Sequence, residues 1–307
     1  MPDGVTIRRR PPRGSDTQPC GPFDYRVRDM DDNKPANILE EIVWYKAREL
    51  DAARAKLPLP ALRALALKAP PPRDFRAAIA RRAQESGRPG LIAEVKKASP
   101  SKGVIQPDFD PVRIARAYEA GGAACLSVLT DEKFFQGSFD YLRDVRAAGV
   151  SCPLLAKEFI VEAYQLFKAR ASGADAALLI AAVLPNSDLA YLIKVAETLQ
   201  LQVLVEVHTE AEMARVLRLA GIERHVLGIN NRDLQTFAVD LANTERLMAS
   251  APGREAIARG IPVVGESGIF APADVARVQA AGCAAILVGE SLVKQGDPEA
   301  GCKALLS

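Results

Sequence analysis

The sequence predicts an α/β chain folded as a (β/α)8 TIM barrel with extra N-terminal helices. Three observations predict it. Short apolar, β-branched-rich runs alternate with amphipathic stretches eight times over about 215 residues, the usual size of such a barrel. The amphipathic stretches repeatedly close on a small residue and a glycine, as helices do before the next strand: Ala120-Gly121, Ala148-Gly149, Ser172-Gly173, Ala220-Gly221 and Ala281-Gly282. No G-x-G-x-x-G follows any run, which disfavours the competing doubly wound open sheet.

Composition narrows the function. The chain has 307 residues, 49% hydrophobic and 25% charged, in the ordinary globular range. A formal net charge of +2 is too small to imply nucleic acid, and the basic residues are dispersed apart from Arg8-Arg9-Arg10. No apolar run approaches the roughly 20 residues needed to span a membrane, and the first residues lack the apolar core of a secretory signal. We therefore expect a cytoplasmic chain with no nucleic-acid or membrane partner, working as a monomer or weak homo-oligomer. Five widely spaced cysteines fit a reducing compartment and form no disulfide or zinc pattern; Cys125 and Cys283 sit in apolar runs. With only His208 and His225 present, no metal site is expected.

Residues 1–35 are rich in Pro, Arg, Asp and Gly without apolar period, and read as a flexible arm. Acids such as Asp3, Asp16 and Asp24 argue against a transit peptide. Residues 36–307 read as a single barrel domain that includes a helical extension over 36–90. Asn37 caps the first helix, with Glu40 in the capping-box position, and Ile38, Leu39, Ile42, Val43, Tyr45 and Leu50 form its stripe. It ends near Pro58, and Trp44 and Tyr45 read as core. A second helix over 74–86 stops at Gly87-Arg88-Pro89-Gly90. Strands follow at 91–96, 123–129, 153–157, 175–181, 202–206, 225–230, 261–265 and 284–288. Helices lie near 111–120, 139–148, 161–172, 186–199, 209–219, 240–250 and 272–281, with a last one near 290–306.

Barrel chemistry sits where the strands end. Those ends carry Glu94 and Lys96, then Lys157, Glu206, Asn230 with Arg232, Glu266 with Ser267, and Gly289. Glu94 and Lys96 are two apart, so they leave one face of their strand. Lysines crowded by apolar walls and other cations fall in pKa, and neighbouring carboxylates raise them again. Two lysines and three glutamates in one mouth can therefore supply an acid and a base near neutral pH, or a Schiff base on one lysine. Gly265-Glu266-Ser267-Gly268 and Gly289-Glu290-Ser291 are glycine-rich loops at the usual phosphate position of a barrel, with a short helix start behind. Ser99 and Lys102 could close over the same anion, and the loop 97–105 is a candidate lid. Phe134-Phe135 could wall an aromatic substrate, and His208 reads as lying behind the strand end rather than as a base.

Six motifs in order carry a resemblance: Glu94-Val-Lys96-Lys97-Ala-Ser99-Pro100-Ser101, Leu129-Thr-Asp-Glu-Lys-Phe134-Phe135-Gln-Gly137-Ser138, Leu155-Ala-Lys157-Glu-Phe159, Leu204-Val-Glu206-Val-His208, Gly228-Ile-Asn230-Asn231-Arg232-Asp233 and Gly265-Glu266-Ser267-Gly268-Ile. From about Ile38 onward the chain resembles the indole-3-glycerol-phosphate synthase family, and its arginine-rich start resembles the extended N-termini of cyanobacterial members. The resemblance implies decarboxylating ring closure of 1-(2-carboxyphenylamino)-1-deoxyribulose 5-phosphate in tryptophan biosynthesis, without a cofactor. It makes Lys157 the general acid, with Glu206 and Glu94 handling protons. Lys96 would hold the substrate carboxylate or supply the acid for dehydration. Asn230, Arg232 and Glu266 would orient the substrate. Ser99, Ser267, Gly268 and Gly289 would bind phosphate, with Glu290, which stands where other members have serine, offering its backbone N–H. Phe134, Leu178 and Ile180 would wall the aromatic ring. The competing readings are a Schiff-base aldolase with Lys157 as nucleophile, phosphoribosylanthranilate isomerase, which lacks its cysteine at the first strand end here, and a non-catalytic phosphate-binding relative.

Overall fold

Eight short runs, each almost wholly buried, become the staves of a closed parallel barrel. The computed structural model describes Pro35 and residues 37–233, 236–293 and 296–307. The arm expected over residues 1–35 lies, Pro35 apart, outside the described residues. The barrel strands are β1 (Gly90–Val95), β2 (Cys125–Leu129), β3 (Leu154–Lys157), β4 (Ala176–Ile180), β5 (Gln202–Val207), β6 (Val226–Asn230), β7 (Val263–Glu266) and β8 (Ala285–Val288). Each pairs with the next in parallel, and β8 returns to β1, where Ala93 stands opposite Val288. Helices cover the outer face and side chains fill the inner one, so the strands carry continuous apolar runs rather than alternation.

Three helices precede the barrel: α1 (Ile38–Lys56), α2 (Leu59–Lys68) and α3 (Phe75–Ser86). The Asn37 side chain accepts the Glu40 amide at 3.0 Å, as the capping pattern predicts. Helix α2 is not apparent in the sequence, where Pro58 and Pro60 read as breakers. Both stand at its start, where proline has no needed N–H to lose. Helix α3 closes the bottom of the barrel. The backbone N–H groups of Arg73 and Arg76 donate to Asp175 (2.7 Å) and Gln202 (2.9 Å), at the starts of β4 and β5. Helix α1 instead reaches the opposite rim, where Lys46 meets Asp131 and Glu158 just past β2 and β3.

Other departures have local causes. The helix expected over 240–250 is two, Ala242–Ala249 and Ala251–Ala258; the Ser250 side chain caps the second, and Pro252 sits in its first turn. The last helix divides into Glu290–Val293 and Pro298–Leu305, the second capped by Asp297. Gly121 ends its helix in a right-handed conformation (φ −74), and the left-handed turn falls on Gly122 (φ 95). The loop after β1 holds a small antiparallel hairpin, Ala98–Ser99 against Gly103–Val104.

Candidate active site

The strand ends converge on one cavity. Glu94, Lys96, Lys157, Leu178, Ile180, Glu206, Asn230, Arg232, Glu266, Ser267, Gly268, Gly289 and Glu290 all line it. They span some two hundred positions of sequence and meet because parallel strands end at one rim. Register completes the arrangement: Glu206 stands beside Gly228, and Asn230 beside Glu266.

At the centre, Lys157 Nζ donates to Glu266 Oε2 at 2.8 Å and to Glu206 Oε2 at 3.3 Å. Burial alone would lower the Lys157 ammonium, but Glu266, Glu206 and Glu94 outweigh it and hold its pKa above the ordinary lysine value. The group is therefore a protonated donor at neutral pH. Burial raises Glu266 to about 7, with Lys157 pulling down and Glu206 pushing up. Burial also works against Glu206, yet Lys157, His208 and a hydrogen bond from Asn230 keep that carboxyl below its usual range. Two neighbouring carboxyls are thus driven apart in acidity. A second pair lies at β1, where Lys96 Nζ donates to Glu94 Oε2 at 2.5 Å. Against burial, Lys96 and Lys157 lower the Glu94 carboxyl.

Two glycines make room for these carboxylates. A Cβ on Gly289 would stand 2.5 Å from Glu94 Oε2, and one on Gly228 would overlap Glu266 Oε1. Gly289 therefore lies against a carboxylate of the site as well as at the expected loop position. After β7 the chain takes two left-handed residues in succession, Ser267 (φ 66) and Gly268 (φ 76), which turn this loop into the cavity. A non-glycine residue held there stores strain, as loops at functional sites often do.

Two expected site residues fall outside the cavity. Phe134 turns away and meets Tyr45 edge-on, with ring centroids 5.8 Å apart. Phe135 lines the cavity in its place, beside Phe159 at 5.9 Å. The reason is a one-turn helix, Glu132–Phe135, capped by Asp131, in which consecutive side chains diverge by about 100°. Ser99 lines an adjoining cavity under α1, which shares Lys96, Phe135, Phe159, Arg232 and Glu290 with the main one and adds Ile38, Leu39 and Ile42. Glu290 binds the Lys102 ammonium from the hairpin.

His208 lies behind the rim, as read. Its backbone N–H donates to Glu212 at 2.6 Å, and its Nε2 stands 3.5 Å from Glu206 Oε1. Sequence reasoning assigned no role to Phe159, Glu158 or Phe270, all of which line the cavity. It also passed over Lys46, although a lysine within the apolar stripe of α1 was a readable signal. Among the described residues, no helix is long and apolar enough to cross a membrane, and no cluster of three or more His, Cys, Asp or Glu is placed to hold a metal ion.

The chain has relatives among known proteins. The family model described as "Indole-3-glycerol phosphate synthase" matches residues 39–305. A protein named indole-3-glycerol phosphate synthase, chloroplastic, from Arabidopsis thaliana is 54% identical over 302 residues, covering 98% of this chain and 75% of its own. One named indole-3-glycerol phosphate synthase from Microcystis aeruginosa is 56% identical over 272 residues, covering 89% and 90% respectively. Among solved structures, a 3-hexulose-6-phosphate synthase superposes with a TM-score of 0.53 at 16% identity, over 71% of this chain and 98% of that one. A thiamine phosphate pyrophosphorylase from Pyrococcus furiosus gives 0.51 at 16% identity, over 70% and 93%. At such identities these two speak for the barrel alone.

Proposed function

The chain belongs to the indole-3-glycerol phosphate synthase family, and we propose that its rim closes the indole ring of 1-(2-carboxyphenylamino)-1-deoxyribulose 5-phosphate, releasing carbon dioxide and water. The observation that carries the site assignment is the Lys157 side chain held 3.3 Å from Glu206 and 2.8 Å from Glu266 in the barrel mouth.

Ring closure begins when the aromatic carbon bearing the carboxylate attacks the ribulose carbonyl. A carbon–carbon bond forms, the carbonyl electron pair moves to oxygen, and Lys157 supplies the proton. The bond to the carboxylate then breaks, its electrons restore the aromatic ring, and carbon dioxide leaves. In the last step the new hydroxyl takes a proton and departs as water, while the methylene beside nitrogen gives up a proton to form the indole double bond. Glu206, with Glu94, handles these protons. Lys96 holds the substrate carboxylate or supplies the dehydration proton. An ammonium already in place where oxygen charge develops lowers the barrier mainly by electrostatic preorganisation.

Asn230, Arg232 and Glu266 orient the sugar. Ser267, Gly268 and Gly289, with the Glu290 backbone, take the phosphate, and Ser99 adjoins them. Leu178, Ile180 and Phe135 wall the ring. The Schiff-base alternative needs Lys157 as a free amine, and the three carboxylates that hold its proton disfavour that role. We take residues 36–307 as one working unit, cytoplasmic, acting as a monomer or weak homo-oligomer; light scattering and fractionation of expressing cells test those two points.

The deciding experiment incubates the purified chain with the carboxyphenylamino substrate and follows indole fluorescence. Product formation without a borohydride-trapped adduct supports the reading. A trapped covalent adduct, or no product, overturns it.

A further inference from the structure

Lys46 belongs to no step above, yet its side chain is completely buried. From α1 its ammonium meets Asp131 Oδ2 at 2.7 Å, Glu158 Oε1 at 2.9 Å and Glu49 Oε2 at 3.0 Å. An ammonium removed from water offsets that cost only with close, well-placed partners, and a buried ion pair is weak grounds for stability by itself. Its partners here do a second job. Asp131 Oδ1 accepts the backbone N–H groups of Phe134 (2.7 Å) and Phe135 (3.1 Å). Glu158 Oε1 accepts the N–H of Phe159 (2.8 Å), and its Oε2 accepts the Thr130 hydroxyl (3.1 Å). One cation thus ties together the added helix, the loop after β2 and the loop after β3. Phe135 and Phe159, carried by those loops, line both cavities, and the start of α1 forms another wall of the adjoining one. One carboxylate next to Lys46 is also adapted to the cluster: burial raises Glu158, with Lys46 pulling it down and Asp131 pushing it up.

We propose that Lys46 is a positioning residue for the aromatic half of the substrate: it holds Phe135 and Phe159, packed side by side at 5.9 Å, as the wall that receives the anthranilate ring. This rests on the functional reading above and adds to it the device that sets the ring pocket. The lysine touches no reacting atom and acts through Asp131 and Glu158.

The test replaces the charge and keeps the stem, Lys46→Met, in the full chain. Wild-type turnover of the carboxyphenylamino substrate is measured first; an inactive wild type sinks the functional reading itself. With an active wild type, the variant should raise KM about tenfold or more with kcat within about threefold, since misplacing a binding wall by an ångström has effects of this size or larger. Anthranilate binding by calorimetry should weaken in parallel, while inorganic phosphate binding stays within about twofold. A merely structural lysine would lower the melting temperature and leave the two ligands equally affected. Equal loss of both ligands, or unchanged anthranilate affinity, overturns the proposal. If Lys46→Met does not fold, Asp131→Asn carries the same test: it keeps an oxygen for the Phe134 and Phe135 amides and removes the charge facing Lys46. Loss of anthranilate affinity alone supports the proposal, and unchanged or equally weakened binding of the two ligands overturns it.

Discussion

Lys157 on β3 and Glu266 on β7 come from opposite sides of the barrel and meet at 2.8 Å. Glu206 stands 3.3 Å from the same ammonium on its other oxygen-rich side. One cation among buried carboxylates keeps its proton, and the carboxylates divide into one with depressed and one with raised acidity.

Lys157→Ala is expected to cut turnover by at least about a hundredfold, the ordinary size of a lost general acid. Steady-state kinetics on the purified variant checks this. Near-normal kcat would remove Lys157 from its role.

The raised Glu266 carboxyl makes stability depend on pH in a defined direction. Its pKa goes from an ordinary 4.5 to about 7 on folding. The folded chain therefore binds more protons than the unfolded chain between those values. The contribution is fully present below about 4.5 and is lost as pH rises through about 7. Glu206 titrates together with it while Lys157 keeps its proton, so the transition belongs to the carboxyl pair. Compared with wild type, Glu266→Gln should lack this loss. Denaturant titrations at several pH values read the difference, and parallel stability curves for the two proteins would contradict it.

Phe134 and Phe135 should behave oppositely despite being neighbours. Phe135→Ala should weaken anthranilate binding about tenfold, because its ring lines the cavity. Phe134→Ala should leave that affinity within about twofold and instead lower stability by about 1 kcal/mol, the usual worth of an aromatic pair such as Phe134–Tyr45. Calorimetry and thermal melts on both variants separate the roles, and equal effects on binding would refute the assignment.

That contrast marks where sequence stops being informative. Strand count and strand ends are readable because burial on both faces writes long apolar runs and the last residue of each run faces the mouth. Lys157, Glu206 and Glu266 follow from that rule. Which of two adjacent phenylalanines faces inward depends on a four-residue helix that has no period of its own. Helix α2 was hidden by Pro58 and Pro60, whose breaking effect vanishes in a first turn. Ser99 was displaced by a hairpin held by backbone hydrogen bonds, which leave no signature in side-chain type. Lys46 was legible in principle: Leu39, Ile42, Val43 and Leu50 define the buried face of α1, and position 46 continues it.

Gly228 supplies the sharpest test of how the site is held. Its missing Cβ leaves the space occupied by Glu266 Oε1, while the nearest atom of Leu204 would lie 3.2 Å from such a Cβ. In Gly228→Ala, the part that moves most easily is the end of the Glu266 side chain, not the strand. Alanine also loses less backbone entropy than glycine on folding. Stability should therefore change by no more than about 1 kcal/mol, while kcat/KM should fall by about tenfold or more as the carboxylate leaves its place beside Lys157. A melt paired with steady-state kinetics reads both. Full activity in Gly228→Ala would mean that the Glu266–Lys157 contact is dispensable to the reaction.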